Sequence, residues 1–185
     1  IKYIKFNKKK IKIIKLFNNI ESETLFTQTL STGILIQQLA QALEENKVHA
    51  LLLIADRYEV LAGAIGAKYQ NVPLIHVQGG EISGNIDDKV RNAVSAMSDL
   101  HFPCTKKAYN RLKSTYFVKG EIFCYGCPSM DLLFQKRNLD IDGMLLKYNY
   151  LGLMKTKNEP YNLVIYHPET ENFNTARKLS EKFYK

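Results

Sequence analysis

The sequence lacks any long apolar run, although 45% of its 185 residues are hydrophobic. No stretch approaches the roughly 18 consecutive apolar residues that a membrane-spanning helix needs. No signal peptide is visible either, because lysines follow Ile1 and no small-residue cleavage site is present. We therefore expect a cytoplasmic protein without a membrane partner, long enough for one ordinary domain with a real core.

Cysteine is also scarce, with three residues in the chain. Cys104 stands alone in the sequence, whereas Cys124 and Cys127 form a C-x-x-C pair that could indicate a metal or redox site. A zinc site needs further ligands, and no second pair is present to supply them. We therefore expect a structural role for these cysteines, and we predict neither a metal nor a cofactor.

Acids are missing from the first 20 residues, where seven lysines give the chain a basic start. Without these lysines the formal net charge of +8 falls to +1. A nucleic-acid-binding surface should spread over one face of a fold, whereas this charge is confined to a tail. We predict no nucleic-acid partner and interpret residues 1–31 as a solvated, atypical start, with a polyanion site as the less favoured alternative.

The rest of the sequence alternates between helix and strand patterns. Apolar periodicity and end signals predict helices over residues 32–46, 58–70, 88–98, 105–116, 128–135 and 173–184. Ser31 or Thr32 is the expected N-cap of the first helix. Short apolar runs predict strands over residues 49–54, 73–77, 100–102, 121–125 and 162–166.

Strands and helices that take turns predict right-handed crossovers and a parallel sheet, which is a Rossmann-like α/β fold. The run at 49–54 suits a strand buried on both faces. Five small residues in the helix at 58–70 would let that helix lie close to the sheet. We expect one domain over residues 32–160 and the beginning of a second over 161–185.

Polar side chains follow three of the predicted strands. Asp56 and Arg57 come after the first strand, the loop from His76 to Glu81 (HVQGGE) follows the second, and His167 follows the strand at 162–166. Because ligands of open α/β sheets bind outside the carboxyl ends of the strands, we expect these residues to share one rim. An arginine fork suits a diphosphate or a carboxylate.

Each candidate also has a purely structural interpretation. Asp56 could cap the following helix, and His76 could be a hydrogen-bonded core histidine. Gly79 and Gly80 could let backbone N–H groups approach a ligand, or they could form only a tight turn. The pair of acids at Asp87 and Asp88 could serve only the helix dipole. From spacing alone we predict a ligand-binding α/β domain that favours anionic substrates.

The order of these motifs resembles the hydrolysing UDP-N-acetylglucosamine 2-epimerase family of sialic-acid and related pathways. That family shows (G/A)DR, HxxGGE, an ID pair followed by Arg, and later GCPS and HP elements. Here they are ADR at 55–57, HVQGGE at 76–81, IDD at 86–88 with Arg91, GCPS at 126–129 and HP at 167–168. The resemblance implies a GT-B architecture, in which two Rossmann-like domains hold a UDP-sugar between them.

The resemblance also implies a reaction and a set of roles. The family eliminates UDP from the sugar and then adds water, which releases a free 2-epimerised amino sugar. Asp56 and Asp87 match its catalytic acids, and Glu81 matches the acid of GGE, with a role in catalysis, loop shaping or sugar contact. The matching substrate-binding residues are Arg57, His76, Gln78, Gly79, Gly80 and His167. A homo-oligomer is expected for the full-length protein.

The sequence departs from the family pattern at Gln78, where the N-acetylglucosamine enzymes usually carry Glu. An amide cannot exchange a proton at neutral pH, so one acid–base role is lost or moved. ADR together with HxQGGE is more similar to the subgroup that acts on UDP-N,N'-diacetylbacillosamine, on the route to legionaminic acid. Asn92 also replaces the His that commonly follows the motif arginine.

The resemblance further implies that a first strand precedes this sequence and that most of the nucleotide-binding domain follows it. We therefore expect a fragment that is inactive alone. The alternative to an enzyme is a non-catalytic remnant or a nucleotide-sugar-binding domain, which Gln78 and Asn92 favour. A nicotinamide-binding Rossmann domain is disfavoured, because no G-x-G-x-x-G lies between a strand and a helix.

Overall fold

Four parallel strands form one sheet whose order follows the chain. The computed structural model describes residues 12–17, 24–134 and 182. The strands are β1 (Leu51–Ile54), β2 (Leu74–Val77), β3 (Leu100–Phe102) and β4 (Glu121–Ile122). Leu51 pairs with Leu74, Ile75 with Leu100, and Leu100 with Glu121, and the sheet order is β1-β2-β3-β4. The predicted parallel α/β sheet is confirmed.

Five helices accompany these strands in the described part of the chain. They are α1 (Leu25–Glu45), α2 (Tyr58–Tyr69), α3 (Ile86–Met97), α4 (Lys106–Ser114) and α5 (Pro128–Phe134). The predicted helices match α2 to α5 within a few residues at each end. The strand and helix predicted at 162–166 and 173–184 lie outside the described residues, apart from Lys182, which is helical.

The first helix begins seven residues earlier than its apolar pattern predicts. Thr24 is the N-cap: its hydroxyl accepts the N–H of Thr27 at 3.1 Å, and the Thr24 N–H donates to the Thr27 hydroxyl at 3.2 Å. This reciprocal arrangement is a capping box with Thr where Glu or Gln is usual. The expected caps, Ser31 and Thr32, are therefore wrong, because both lie inside the helix, where Ser31 is buried.

The core lies between α1, α2, α3 and the sheet. Its buried members are Leu43, Ala64, Ala67, Val72, Leu74 and Val94. The small residues of α2 bring this helix against β1 as predicted: a Cβ added to Gly63 would lie 2.9 Å from Leu53 Cδ2. Close packing of this kind leaves no room for larger side chains.

The prediction that the first strand is buried on both faces is wrong in the described part of the chain. Leu52 and Ile54 are 53% and 55% exposed, whereas Leu51 and Leu53 pack against the core. β1 stands at one end of the four-stranded sheet, and α2 contacts it. Side chains alternate between the faces of a strand, so every second residue of β1 points away from the core.

The chain divides into two compact units, Ile1–Cys127 and Pro128–Lys185. The first contains the sheet and helices α1 to α4, and α5 begins the second. The domain boundary predicted at residue 160 lies outside the described residues. Of the described helices, none is both long enough and apolar enough to cross a membrane.

Candidate active site

Two neighbouring strands end in the same unusual way. Ala55 directly after β1 and Gln78 directly after β2 have φ values of 69° and 67°, a left-handed region that non-glycine residues rarely occupy. Hydrogen bonds hold both residues: the Ala55 N–H donates to Val77 O and the Gln78 N–H donates to Phe102 O, each at 3.0 Å. Strained backbone of this kind concentrates at functional sites, and both residues lie in the predicted motifs.

Asp56 follows the first of these strained residues and forms an ion pair with Arg91 from α3. The Asp56 Oδ2 accepts from Nη2 of Arg91, and the arginine is only 5% exposed. The interpretation of Asp56 as a helix cap is wrong, because Arg57 occupies the N-cap position of α2 and no side chain caps that helix. The sheet edge is therefore linked to α3 through a buried guanidinium.

The same guanidinium reaches the glycine loop. Nη1 of Arg91 donates to the backbone oxygen of Glu81 at 2.7 Å and to Oδ1 of Asp88 at 2.5 Å. Burial, together with the nearby positive charge of Arg111, lowers the pKa of Arg91 from its ordinary value. A buried guanidinium needs such partners, since an unpaired charge away from water is strongly destabilising.

Asp88 closes the loop that leads into α3. Its carboxylate accepts from the backbone N–H groups of Ser83 and Gly84, both at 2.7 Å, and from the Ser83 hydroxyl at 2.9 Å. The bond from the Ser83 amide, aided by that of Gly84, holds the pKa of Asp88 below its ordinary value. Asp88 thus does more than complement the helix dipole, because it fixes the loop's shape.

Asp87 lies in the first turn of α3, where acids were predicted. Asn85 caps the helix by accepting the Asp87 N–H at 3.1 Å, and its amide donates to Oδ2 of Asp87 at 3.0 Å. Residues four apart on a helix lie on the same face, so Asp87 lies one turn from Arg91 on the same side of α3. Arg91 is also the partner of Asp56, and the catalytic roles of Asp56 and Asp87 stay predictions.

Glu81 and Gly80 are held by α4. The hydroxyl of Thr105, the N-cap of that helix, donates to Oε1 of Glu81 at 2.9 Å. Arg111 donates to the backbone oxygen of Gly80. Two guanidiniums, those of Arg91 and Arg111, therefore bind the carbonyls of two consecutive loop residues.

The two glycines are required by packing. A Cβ on Gly79 would lie 2.8 Å from both His76 Nδ1 and Ser95 Oγ. Gly80 has a φ of +82°, and a Cβ there would lie 2.7 Å from the backbone oxygen of Ala108. Only glycine fits both conditions, and the tight turn explains both residues without a ligand.

His76 lies wholly inside the core of the first unit. It is 0% exposed, with Nδ1 3.0 Å from Ser95 Oγ and Nε2 2.9 Å from Ala55 O. Burial is the main reason that its pKa falls to about 4, so the ring is neutral at pH 7. Both ring nitrogens bind protein atoms, which matches the interpretation as a core histidine. Through Nε2, His76 also holds the backbone carbonyl of Ala55.

The side chain of Arg57, unlike that of His76, faces solvent. Its side chain is 72% exposed and its Nε donates to Oε2 of Glu59 at 3.1 Å. The guanidinium carbon of Arg57 also lies 5.7 Å from the centre of the Tyr58 ring. An exposed fork directly beside Asp56 is suited to an anion that approaches the sheet edge.

Gln78 contacts two of the cysteines for which the sequence predicted a structural role. Its Nε2 donates to Sγ of Cys127 at 3.7 Å, and the Cys104 thiol contacts both of these side chains. Burial, reinforced by the contact with Cys127, raises the pKa of Cys104 to about 11. Cys127 therefore contacts Cys104, which follows β3, and the protonated Cys104 thiol serves packing here.

His167 lies outside the described residues. Arg91, Asp88, Arg111 and Thr105 complete the site in the first unit, and the ID-to-Arg spacing was the one sequence signal for the first of them. Within the described ranges, no group of three or more His, Cys, Asp or Glu side chains could hold a metal ion.

Comparison with known proteins identifies the family. The family model described as UDP-N-acetylglucosamine 2-epimerase matches residues 2–183. The Legionella pneumophila UDP-N,N'-diacetylbacillosamine 2-epimerase (hydrolyzing) is 31% identical over 137 residues, which are 74% of this chain and 35% of that protein. The chain thus spans about a third of this relative's length.

Solved structures agree with this match. The S. aureus MnaA-UDP co-structure gives a TM-score of 0.55 at 25% identity and covers 71% of this chain and 36% of its own. The UDP-N-acetylglucosamine 2-epimerase from Rickettsia bellii gives a TM-score of 0.60 at 20% identity, covering 88% and 44%. Such epimerases have the GT-B type of fold that the resemblance implied. This chain belongs to the UDP-N-acetylglucosamine 2-epimerase family.

Proposed function

We propose that the protein containing this chain is a hydrolysing UDP-sugar 2-epimerase. The observation that carries the proposal is the convergence of Asp56, the GGE loop and the acidic first turn of α3 on Arg91 at the carboxyl edge of the sheet. These are the segments that carry the family's motifs. The family match and the names of the relatives support the same activity.

The proposed reaction proceeds in two steps. A carboxylate removes the proton from C2 of the sugar while the C1–O bond to UDP breaks, which leaves a C1=C2 double bond. Water then adds its oxygen to C1, and a proton returns to the opposite face of C2. The products are UDP and a free 2-epimerised amino sugar. Because C2–H is a weak acid, the base must be held against it while charge on the leaving diphosphate is stabilised.

We assign each of these tasks to particular residues of the first unit. Asp56 and Asp87 are the acid–base pair on the two sides of the ring, and the exposed fork of Arg57 contacts the diphosphate. Glu81, held by Thr105, shapes the loop and contacts the sugar. We assign His76 a supporting role, since its ring is buried and both nitrogens are bonded.

The substrate proposed is a UDP-N-acetylhexosamine, for nonulosonic acid biosynthesis, with UDP-N,N'-diacetylbacillosamine on the legionaminic acid route as the alternative. Gln78 favours the alternative, because its amide replaces a carboxylate beside the sugar site. Its Nε2 is engaged by Cys127, so Oε1 is the atom that can accept a hydrogen bond from a substrate N–H. The Legionella relative is named for that sugar nucleotide.

The test uses the product of the full open reading frame that contains this sequence. UDP release and the free sugar are measured with UDP-N-acetylglucosamine and with UDP-N,N'-diacetylbacillosamine. We expect turnover of at least one, and Asp56→Asn and Asp87→Asn should each slow that turnover by about 100-fold or more, in keeping with the size of general acid–base effects. A strong preference for UDP-N-acetylglucosamine would remove the alternative substrate, and no turnover of either would remove the proposed activity.

A second candidate is a nucleotide-sugar-binding protein without catalysis, which the amide at Gln78 favours. Calorimetry separates it from an enzyme, because it would bind UDP while both UDP-sugars remain intact. The 185-residue chain alone should release no UDP, since its aligned part is 35% of the Legionella enzyme. The homo-oligomer and the cytoplasmic location stay predictions, and light scattering of the full protein tests the first.

A further inference from the structure

The guanidinium of Arg91 has every terminal N–H occupied. Nη1 donates to the Glu81 carbonyl at 2.7 Å and to Asp88 at 2.5 Å. Nη2 donates to Asp56 and, at 3.4 Å, to the Ser83 hydroxyl. Each of these nitrogens has two hydrogens, so four partners from three chain segments account for all four.

These partners are the parts of the site whose relative placement matters for catalysis. One is the acid after β1, the second is the backbone of the GGE loop, and the third is the carboxylate that folds residues 83 and 84. They lie up to 35 residues from Arg91 in the sequence. In the described part of the chain, no other side chain forms hydrogen bonds or ion pairs with both Asp56 and the loop.

The pairing leaves one oxygen of Asp56 available. Arg91 uses Oδ2, and within the described residues Oδ1 accepts no hydrogen bond. Asp56 is partly exposed, with 20% of its side chain accessible, whereas that of Arg91 is 6% accessible. Arg91 therefore lies beneath Asp56, where it sets the direction of the carboxylate without reaching a ligand above it.

We propose that Arg91 is a positioning residue that fixes the carboxylate of Asp56 against the GGE loop and presents Oδ1 to the sugar. The inference rests on the proposed epimerase function and deepens it. A lysine cannot replace this residue, because one ammonium nitrogen cannot reproduce the planar fork that spans two carboxylates and a carbonyl.

The kinetic test compares Arg91→Lys with Arg111→Lys in the full protein. The second substitution is the matched control, because Arg111 binds the carbonyl of Gly80 and not Asp56. We expect Arg91→Lys to lower kcat about 100-fold with KM changed less than about threefold, as for a misplacement of about 1 Å. Arg111→Lys should lower kcat less than tenfold. Equal losses in both variants, or a raised KM at unchanged kcat, would overturn the proposal.

A double-variant cycle separates positioning from general loss of structure. In an Asp56→Ala background no carboxylate remains to be positioned, so adding Arg91→Lys should lower the residual kcat by less than about threefold. A structural defect would lower kcat by the same factor in both backgrounds. That outcome would contradict the proposal.

A spectroscopic test is independent of activity and of how Arg91→Lys folds. Protein labelled with 15N-arginine should show four resolved Nη proton signals for Arg91, since all four are bonded. Asp56→Ala should merge or shift the two Nη2 signals and leave those of Arg111 in place. Unchanged Arg91 signals in Asp56→Ala would overturn the proposal. Changed signals in a protein without epimerase activity would keep Arg91 as the link and remove the proposed function instead.

Discussion

The ion pairs at the two ends of the sheet differ in how deeply their side chains are buried. At the amino end, Asp99 accepts from Lys68 at 2.8 and 2.9 Å and from the N–H of Leu74 at 2.8 Å. This pair is largely in solvent, with side chains 50% and 35% exposed. At the carboxyl end, Arg91 has 6% of its side chain exposed and bonds two carboxylates.

The difference supports the proposed use of the carboxyl end for a ligand. The half-exposed pair joins α2 to the residue before β3 at a small cost in desolvation. A buried guanidinium is costly and gives little net stability over apolar packing. Left-handed backbone conformations also distinguish the two ends of the sheet. Among non-glycine residues, Lys47 and Asn71 are left-handed just after helices, which is common, while Ala55 and Gln78 are left-handed at the carboxyl ends of strands.

The largest expected effect comes from breaking each ion pair in turn. Arg91→Met leaves Asp56 and Asp88 without their cation and should lower the free energy of unfolding by about 3–5 kcal/mol at pH 7. Lys68→Met is the matched control at the other end and should lower it by about 1 kcal/mol or less. Urea denaturation measures both, and similar losses would show that the two ends do not differ.

The buried histidine of β2 should make stability depend on pH. The pKa of His76 is about 4 in the folded protein against about 6.5 when unfolded, so the unfolded state binds the proton first. Stability is therefore full above pH 6.5 and falls as the pH drops towards 4, by about 3 kcal/mol in total. The buried His101, whose pKa burial also lowers, adds a loss of the same sign.

Denaturation midpoints between pH 7 and pH 4 measure this loss. His76→Gln should show a shallower fall than the unmodified protein, and His49→Gln, which removes an exposed histidine before β1, is the matched control. A fall that is as steep in His76→Gln as in the unmodified protein would mean that this ring does not cause it.

A smaller effect distinguishes two glycines of the same loop. Gly80→Ala combines a left-handed φ with a Cβ 2.7 Å from the Ala108 oxygen, and should lower the free energy of unfolding by about 2 kcal/mol or more. Gly84→Ala has a similar φ of +87° but open space around the Cβ, and should lower it by about 1 kcal/mol. Equal losses in thermal melts would mean that backbone conformation alone requires Gly80.

Local pattern predicted the elements, while contacts over long sequence distances decided the site. The run at 100–102 forms a strand with the predicted bounds, and the acids at 87 and 88 open α3, because apolar spacing and helix-dipole preference are local. The left-handed Ala55 and Gln78 could not be predicted, since neither residue type favours that conformation. The partners of Arg91 lie in three segments, and only the folded sheet brings them together.

Isotope incorporation during turnover tests most directly whether the carboxyl edge of this sheet eliminates UDP from a sugar and then hydrates the product. The full protein is incubated with its UDP-sugar in D2O, and the products are read by NMR and mass spectrometry. We expect free UDP and a free sugar that carries one deuterium at C2, with both products formed about 100-fold or more slowly by Asp56→Asn. A released sugar without deuterium at C2, or an epimer still joined to UDP, would contradict this expectation.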